Sequence, residues 1–74
     1  MTEKITVNGK HYQWDEDYNG YFGHETSCGV YGAILNGVSG KWHPAWYEDR
    51  DVQDASEEYN TPEEAIIRSH LFWS

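Results

Sequence analysis

Three features of this 74-residue chain predict an α+β domain, a small antiparallel sheet of four to five strands with one C-terminal helix packed on it. Asn-Gly pairs at 8–9 and 19–20 sit between runs in which apolar and polar residues alternate, the pattern of β-hairpins. A continuous apolar run, Val30 to Leu35, lies between turn residues and suits a central strand. Thr61-Pro62-Glu63-Glu64 then opens an amphipathic segment with a capping box. The expected organisation is one domain over 1–74, with strand runs at about 4–8, 10–18, 21–27, 29–36, 41–48 and 51–59 and a helix at about 62–73.

Each element follows from local chemistry. In KITVNGKHYQW, Ile5 and Val7 precede a tight turn at Asn8-Gly9, and Tyr12 and Trp14 follow it. A type I′ turn needs positive φ at both central residues, which Asn and Gly tolerate. Gly29 and Gly32 border and interrupt the apolar run, marking a bulge or an aromatic ring close to the backbone. KWHPAWYED reads as a strand in which Pro44 lacks an amide donor, so it belongs at an edge or a bulge. VQDASEEY is a weaker, polar strand. In the helix, Pro62 fits the first turn, Glu63 and Glu64 suit the positive end of the dipole, and Ile66, His70 and Trp73 form a stripe with Ala65, Ser69 and Phe72 beside it.

A chain of this length buries only about 60% of the surface its unfolded form exposes. Cys28 is the single cysteine, so no internal disulfide staples the fold, and a reducing, cytoplasmic setting is expected. The core must come from four tryptophans, six tyrosines and two phenylalanines. Of Trp42 and Trp46, one is expected inside and one exposed. No apolar run approaches the roughly 18 residues of a membrane span.

The stretch DEDYNGYFGHET supports two readings. Asp15, Asp17, Asn19 and Gly20 spell the opening of a calcium loop, yet the twelfth position is Thr26 where a bidentate glutamate is required. The flanking runs are also strands, whereas calcium loops of that type lie between helices. A hairpin turning on Asn19-Gly20 fits better, with Tyr18 opposite Tyr21, Trp14 opposite Glu25, Asp15 opposite His24 and His11 opposite Cys28. Zinc finds no support in His11, His24, Cys28 and His43, because His24 and Cys28 are about 13 Å apart along an extended strand. No cofactor is expected. Signature motifs for nucleophilic, phosphate-transfer or zinc chemistry are missing, and a lone cysteine is more often a small core residue than a nucleophile. A non-enzymatic protein is expected, with no catalytic residues.

Charge is the remaining signal. Thirteen acids against five bases give −8, and residues 48–64 carry eight carboxylates against the single Arg50, a local −7. Direct nucleic-acid or membrane binding is disfavoured, since both rely on lysine and arginine neutralising phosphates. A solvated face that keeps the protein soluble accounts for the acids in the simplest way. Extended carboxylates forming a stripe about 20–30 Å long instead suit a basic groove shaped for phosphates. The expected partner-binding residues are Glu48, Asp49, Asp51, Asp54, Glu57 and Glu58, with Trp46 or Tyr47 as aromatic anchor. The functional expectation is a phage or mobile-element inhibitor that occludes the basic surface of a nucleic-acid-handling protein complex. The rival expectations are a small ligand-binding module, for instance for carbohydrate, with calcium near Asp15, Asp17 and Asn19, or a structural assembly component.

Overall fold

The structure, a computed structural model, describes residues 2–73. All six strand runs enter one sheet, so the count is six rather than four to five. The strands are β1 (Lys4–Val7), β2 (Lys10–Asp15), β3 (Gly20–Glu25), β4 (Val30–Leu35), β5 (Trp42–Glu48) and β6 (Asp51–Asp54), followed by the helix α1 (Pro62–Phe72). Every strand pairs antiparallel with its sequence neighbour, in the order β1-β2-β3-β4-β5-β6. The polar run at 51–54 is a full member because an edge strand needs only one neighbour and can leave its side chains in water.

That last strand is shorter than expected, and Pro44 explains why. Ala55 N–H donates to Pro44 O at 2.9 Å, but Pro44 has no amide to return the bond. The ladder stops at Asp54, and the chain rejoins β5 only where Tyr59 exchanges two 2.8 Å bonds with Trp42. Residues 56–58 therefore leave the ladder, while Ala55 stays against β5.

The β2–β3 register also differs from expectation. Trp14 opposes Tyr21 and Asp15 opposes Gly20, so Tyr18 and Asn19 lie in the turn and Gly20 begins β3. Asp15 Oδ1 accepts from Asp17 N at 3.0 Å, and Asn19 takes the left-handed conformation at φ 54°. Gly20 pairs with Asp15 and Ile34, and close packing there admits only glycine, since a Cβ would press on the carbonyl oxygen of Ala33. The pairing moves by four residues, an even number, so each side chain keeps its face. Asn8-Gly9 does form a two-residue turn, with φ of 52° and 79° and Val7 opposite Lys10.

One face of the sheet carries the core. Val7, Tyr12, Tyr21, Tyr31, Ala33, Trp42 and Trp46 are buried there beneath Ala65 and Ile66 of α1. Trp42 and Trp46 are both inside, at 7% and 5% exposure, which corrects the expectation of one exposed tryptophan. They are four residues apart on a strand and must share a face. Thr61 caps the helix by accepting from Glu64 N at 3.3 Å, and its hydroxyl donates to the Glu64 carboxylate at 3.0 Å. His70 comes from the last turn and stacks on Tyr31, with ring centroids 3.9 Å apart and an interplanar angle of 12°.

Two outcomes follow from this packing. Gly23→Ala places a Cβ against the carbonyl oxygen of His11 and Gly20→Ala against that of Ala33, whereas Gly37 faces open space. The first two should each cost about 1–3 kcal/mol and Gly37→Ala almost nothing, as read from urea unfolding midpoints. Burial, with the neighbouring His24 as the smaller influence, holds His70 below the ordinary imidazole pKa. The unfolded chain thus binds more protons, so stability should fall as pH drops below about 6.5, and His70→Gln should flatten that slope in pH-dependent melting.

Candidate functional site

The carboxylates of the acidic segment divide into two groups. Glu57 and Glu58 lie on the loop beyond β6 and are committed to the fold. Glu57 pairs with Arg68 Nε at 3.5 Å and accepts from the Tyr59 hydroxyl at 2.6 Å. That hydrogen bond, ahead of partial desolvation, raises the Tyr59 phenol above its ordinary pKa. Glu58 accepts from Ser39 Oγ at 2.6 Å and Asn36 Nδ2 at 3.4 Å, and lies 3.5 Å from His43 Nε2. It ties the β4–β5 loop to the chain beyond β6.

Asp49, Asp51 and Asp54 are exposed, and among the described residues none of them enters an ion pair or a side-chain hydrogen bond. They occupy the β5–β6 turn and the outer strand of the sheet. Glu48 is exposed as well but accepts from Trp46 Nε1 at 2.9 Å. The free stripe is shorter than expected. Asp51 and Asp54 span about 10 Å of strand at roughly 3.3 Å per residue, but they lie three residues apart and point to opposite faces, Asp54 beside Tyr47 on the open face and Asp51 opposite Glu48 on the helix side.

The β5–β6 turn is the unusual part. Asp49 and Arg50 have φ of 53° and 66°, so two residues with full side chains occupy the left-handed region. The same chain uses Asn8-Gly9 in its first hairpin, a pair that adopts this geometry with little strain. Asp tolerates this region much as Asn does, so the strain falls on Arg50, an ordinary L-residue for which the conformation costs about 1–2 kcal/mol. Such strain often accompanies a functional role.

The sheet face opposite the helix has no covering element, and three aromatics gather on it. Tyr18 lies 5.5 Å from Tyr47 and 6.0 Å from Phe22 by ring centroids, and Phe22 lies 6.3 Å from Tyr47, all edge-to-face. The Phe22 ring lies over Gly32, where a Cβ would come within 2.5 Å of it. Desolvation, followed by the influence of Tyr47, raises the Tyr18 phenol pKa. Tyr47 opposes Val52 and Ala45 opposes Asp54, which puts Tyr47 and Asp54 diagonally adjacent on this open face.

The expected anchors therefore separate. Tyr47 is available at the surface, whereas Trp46 is a core residue packed edge-on against Tyr31 at 4.9 Å and stacked on Trp73 at 6.4 Å. Strand parity alone shows that Trp46 and Tyr47 point to opposite faces. The contribution of Tyr18 was not evident from sequence, because the assumed turn on Asn19-Gly20 paired it with Tyr21. Two of the calcium candidates take part in the turn: Asp15 Oδ1 accepts from the Asp17 amide, and Asn19 Nδ2 donates to Leu35 O at 2.9 Å. Among the described residues no three His, Cys, Asp or Glu side chains gather as a metal site would require. No described helix is long and apolar enough to cross a membrane. No protein-family model, curated protein or solved structure matches this chain.

Two substitutions separate the structural acids from the free ones. Glu58→Ala should lower stability by about 1 kcal/mol through loss of charge-assisted bonds at a part-exposed site, while Asp54→Asn should stay within about 0.5 kcal/mol of the parent. Replacing Asp49-Arg50 by Asn-Gly should raise stability by about 1 kcal/mol through relief of the left-handed strain. Chemical denaturation of the three variants checks both statements.

Proposed function

We propose that this is a non-enzymatic protein that binds a partner with a basic surface through its β5–β6 end and the adjoining open face. The observation that carries the proposal is the Asp49-Arg50 turn, where charged side chains stand in left-handed geometry at a tip that Asn-Gly would form with less strain. Asp49, Asp51 and Asp54 would meet lysine or arginine, and Tyr47, supported by Tyr18 and Phe22, would supply the aromatic contact. Glu57 and Glu58 would act indirectly by fixing the loops behind the edge.

A basic groove that holds nucleic acid is the partner class this arrangement suits. A duplex carries about one charge per 1.7 Å along its axis, and Asp49, Asp51 and Asp54 would offer three carboxylates around the outer edge of the sheet to the cations that hold such charges. The mechanism would be occlusion, with carboxylates taking the place of phosphates and long-range attraction speeding encounter. A phage or mobile-element inhibitor of a host nucleic-acid-handling complex, acting in the cytoplasm, is the biological form this proposal takes.

The test is a pull-down from bacterial lysate with the full chain as bait, washed at low and at high salt. The expected result is one nucleic-acid-handling partner, released by salt. Binding to that partner should weaken about tenfold or more in Asp49→Asn/Asp51→Asn/Asp54→Asn, in line with coupling energies of close interfacial charge pairs. A partner whose affinity ignores both salt and the triple substitution would overturn the electrostatic mechanism.

A further inference from the structure

A second site lies at the opposite side of the sheet, where β1, β2, β3 and α1 meet. A cleft of about 250 Å³ opens there, lined by Val7, Asn8, Lys10, Tyr12, His24, Ile67 and His70. The volume is below the roughly 300–1,000 Å³ of pockets for drug-sized ligands, which limits an occupant to a small molecule. Its polar lining is an ammonium, two imidazoles, a carboxamide and a phenol. In a chain of net charge −8 this lining contains no carboxylate.

The two imidazoles reach the cleft by different routes. His24 stands at a bulge, where the β3–β4 register shifts between Gly23 and Glu25, and its φ is 54°. Bulges re-aim side chains, and a histidine in left-handed backbone is held there at a cost in strain. Its Nδ1 is buried without a hydrogen-bond partner among the described residues. An unpaired buried polar atom is costly, so this placement adds to the strain of the left-handed backbone. His70 reaches the site from the last turn of α1, its ring centroid 5.0 Å from that of His24, and its Nε2 is 3.1 Å from the Tyr12 hydroxyl. The titratable groups around the pair are Lys10 and Tyr12 from β2 and Tyr31 from β4.

We propose that this cleft binds a small oxyanion, a carboxylate or phosphate on a short apolar body, held by Lys10 and the His24–His70 pair. The Lys10 ammonium and the imidazole N–H groups supply donors, and protonation of His70 adds charge. Val7 and the half-exposed Ile67 form the apolar wall for the body of the ligand. This site shares no residue with the acidic edge and stands independently of the partner-binding proposal.

The probes are inorganic phosphate and sodium butyrate, added to the full chain while the imidazole resonances of His24 and His70 are followed by NMR. Sodium chloride at matched ionic strength is the control. The expected result is saturable movement of both rings, with butyrate affinity about three- to tenfold higher near pH 6 than near pH 7.5, because anion binding and His70 protonation are linked while butyrate keeps one charge across that range. Lys10→Met should weaken the response about fivefold, the worth of one part-exposed charge contact. His24→Asn, which tolerates the left-handed backbone, should abolish it while leaving the melting temperature close to the parent. Stronger binding of butyrate assigns the site to carboxylates and stronger binding of phosphate to phosphate compounds, and both uphold the proposal. Movement no greater than with sodium chloride, or unchanged affinity in Lys10→Met and His24→Asn, would overturn it.

Discussion

The structure depends on burying one sheet face under a single short helix. Three tyrosines and two tryptophans form most of that face, and α1 contributes only Ala65, Ile66 and Ser69 as fully buried residues. Aromatic rings compensate for the scarcity of aliphatics, but each buried phenol must find a hydrogen-bond partner. The solutions link distant parts of the chain. Tyr12 meets His70, Tyr21 donates to Thr2 O, and Tyr31 donates to Trp73 O. Burial and polar satisfaction thus draw both ends of the chain onto the sheet, and the helix is positioned by phenols as well as by apolar contact. Ser69 follows the same rule, its hydroxyl donating to Ile66 O within the helix.

The same constraint leaves the opposite face uncovered. One helix of 11 residues covers one side of a six-stranded sheet, so Tyr18, Phe22 and Tyr47 must shield the small residues at Gly32 and Ala45 by packing on one another. The outer strand beside them carries Asp51 and Asp54. Charges on an outer strand also deter pairing with a second sheet, a structural role that coexists with partner binding. The strained Asp49-Arg50 turn is not needed for that role, since charges on β6 alone protect the edge.

Four exposed carboxylates, Glu48, Asp49, Asp51 and Asp54, stand at the β5–β6 end, while Lys10, His24 and His70 line the cleft beside β1 and β2. Lowering of the His70 pKa by burial keeps that cleft from carrying full charge at neutral pH. An anion bound there would favour protonation by supplying the countercharge that the lining lacks. Acidic edge and basic cleft are therefore complementary in chemistry and separate in space.

Much of the fold was legible in the sequence because its signals are local. Asn8-Gly9 specifies a turn through backbone conformation, Thr61 and Pro62 specify a helix start through capping, and period-two alternation assigns faces without knowledge of partners. The acidic segment was equally visible as composition. Tertiary structure alone decided the rest. Pairing with Asp15 and Ile34 placed Gly20 in the sheet rather than the turn, at a position where the carbonyl of Ala33 leaves room only for glycine. The missing amide of Pro44 ended β6, and Glu57 and Glu58 on the loop beyond it, though still exposed, gained bonds that brace neighbouring loops. His24 and His70, 46 positions apart in the chain, became neighbours only through a bulge and the docking of α1. The sequence determines which backbone conformations and faces are favoured, whereas the availability of a charge or a ring depends on long-range contacts that exist only once the sheet and helix have closed together.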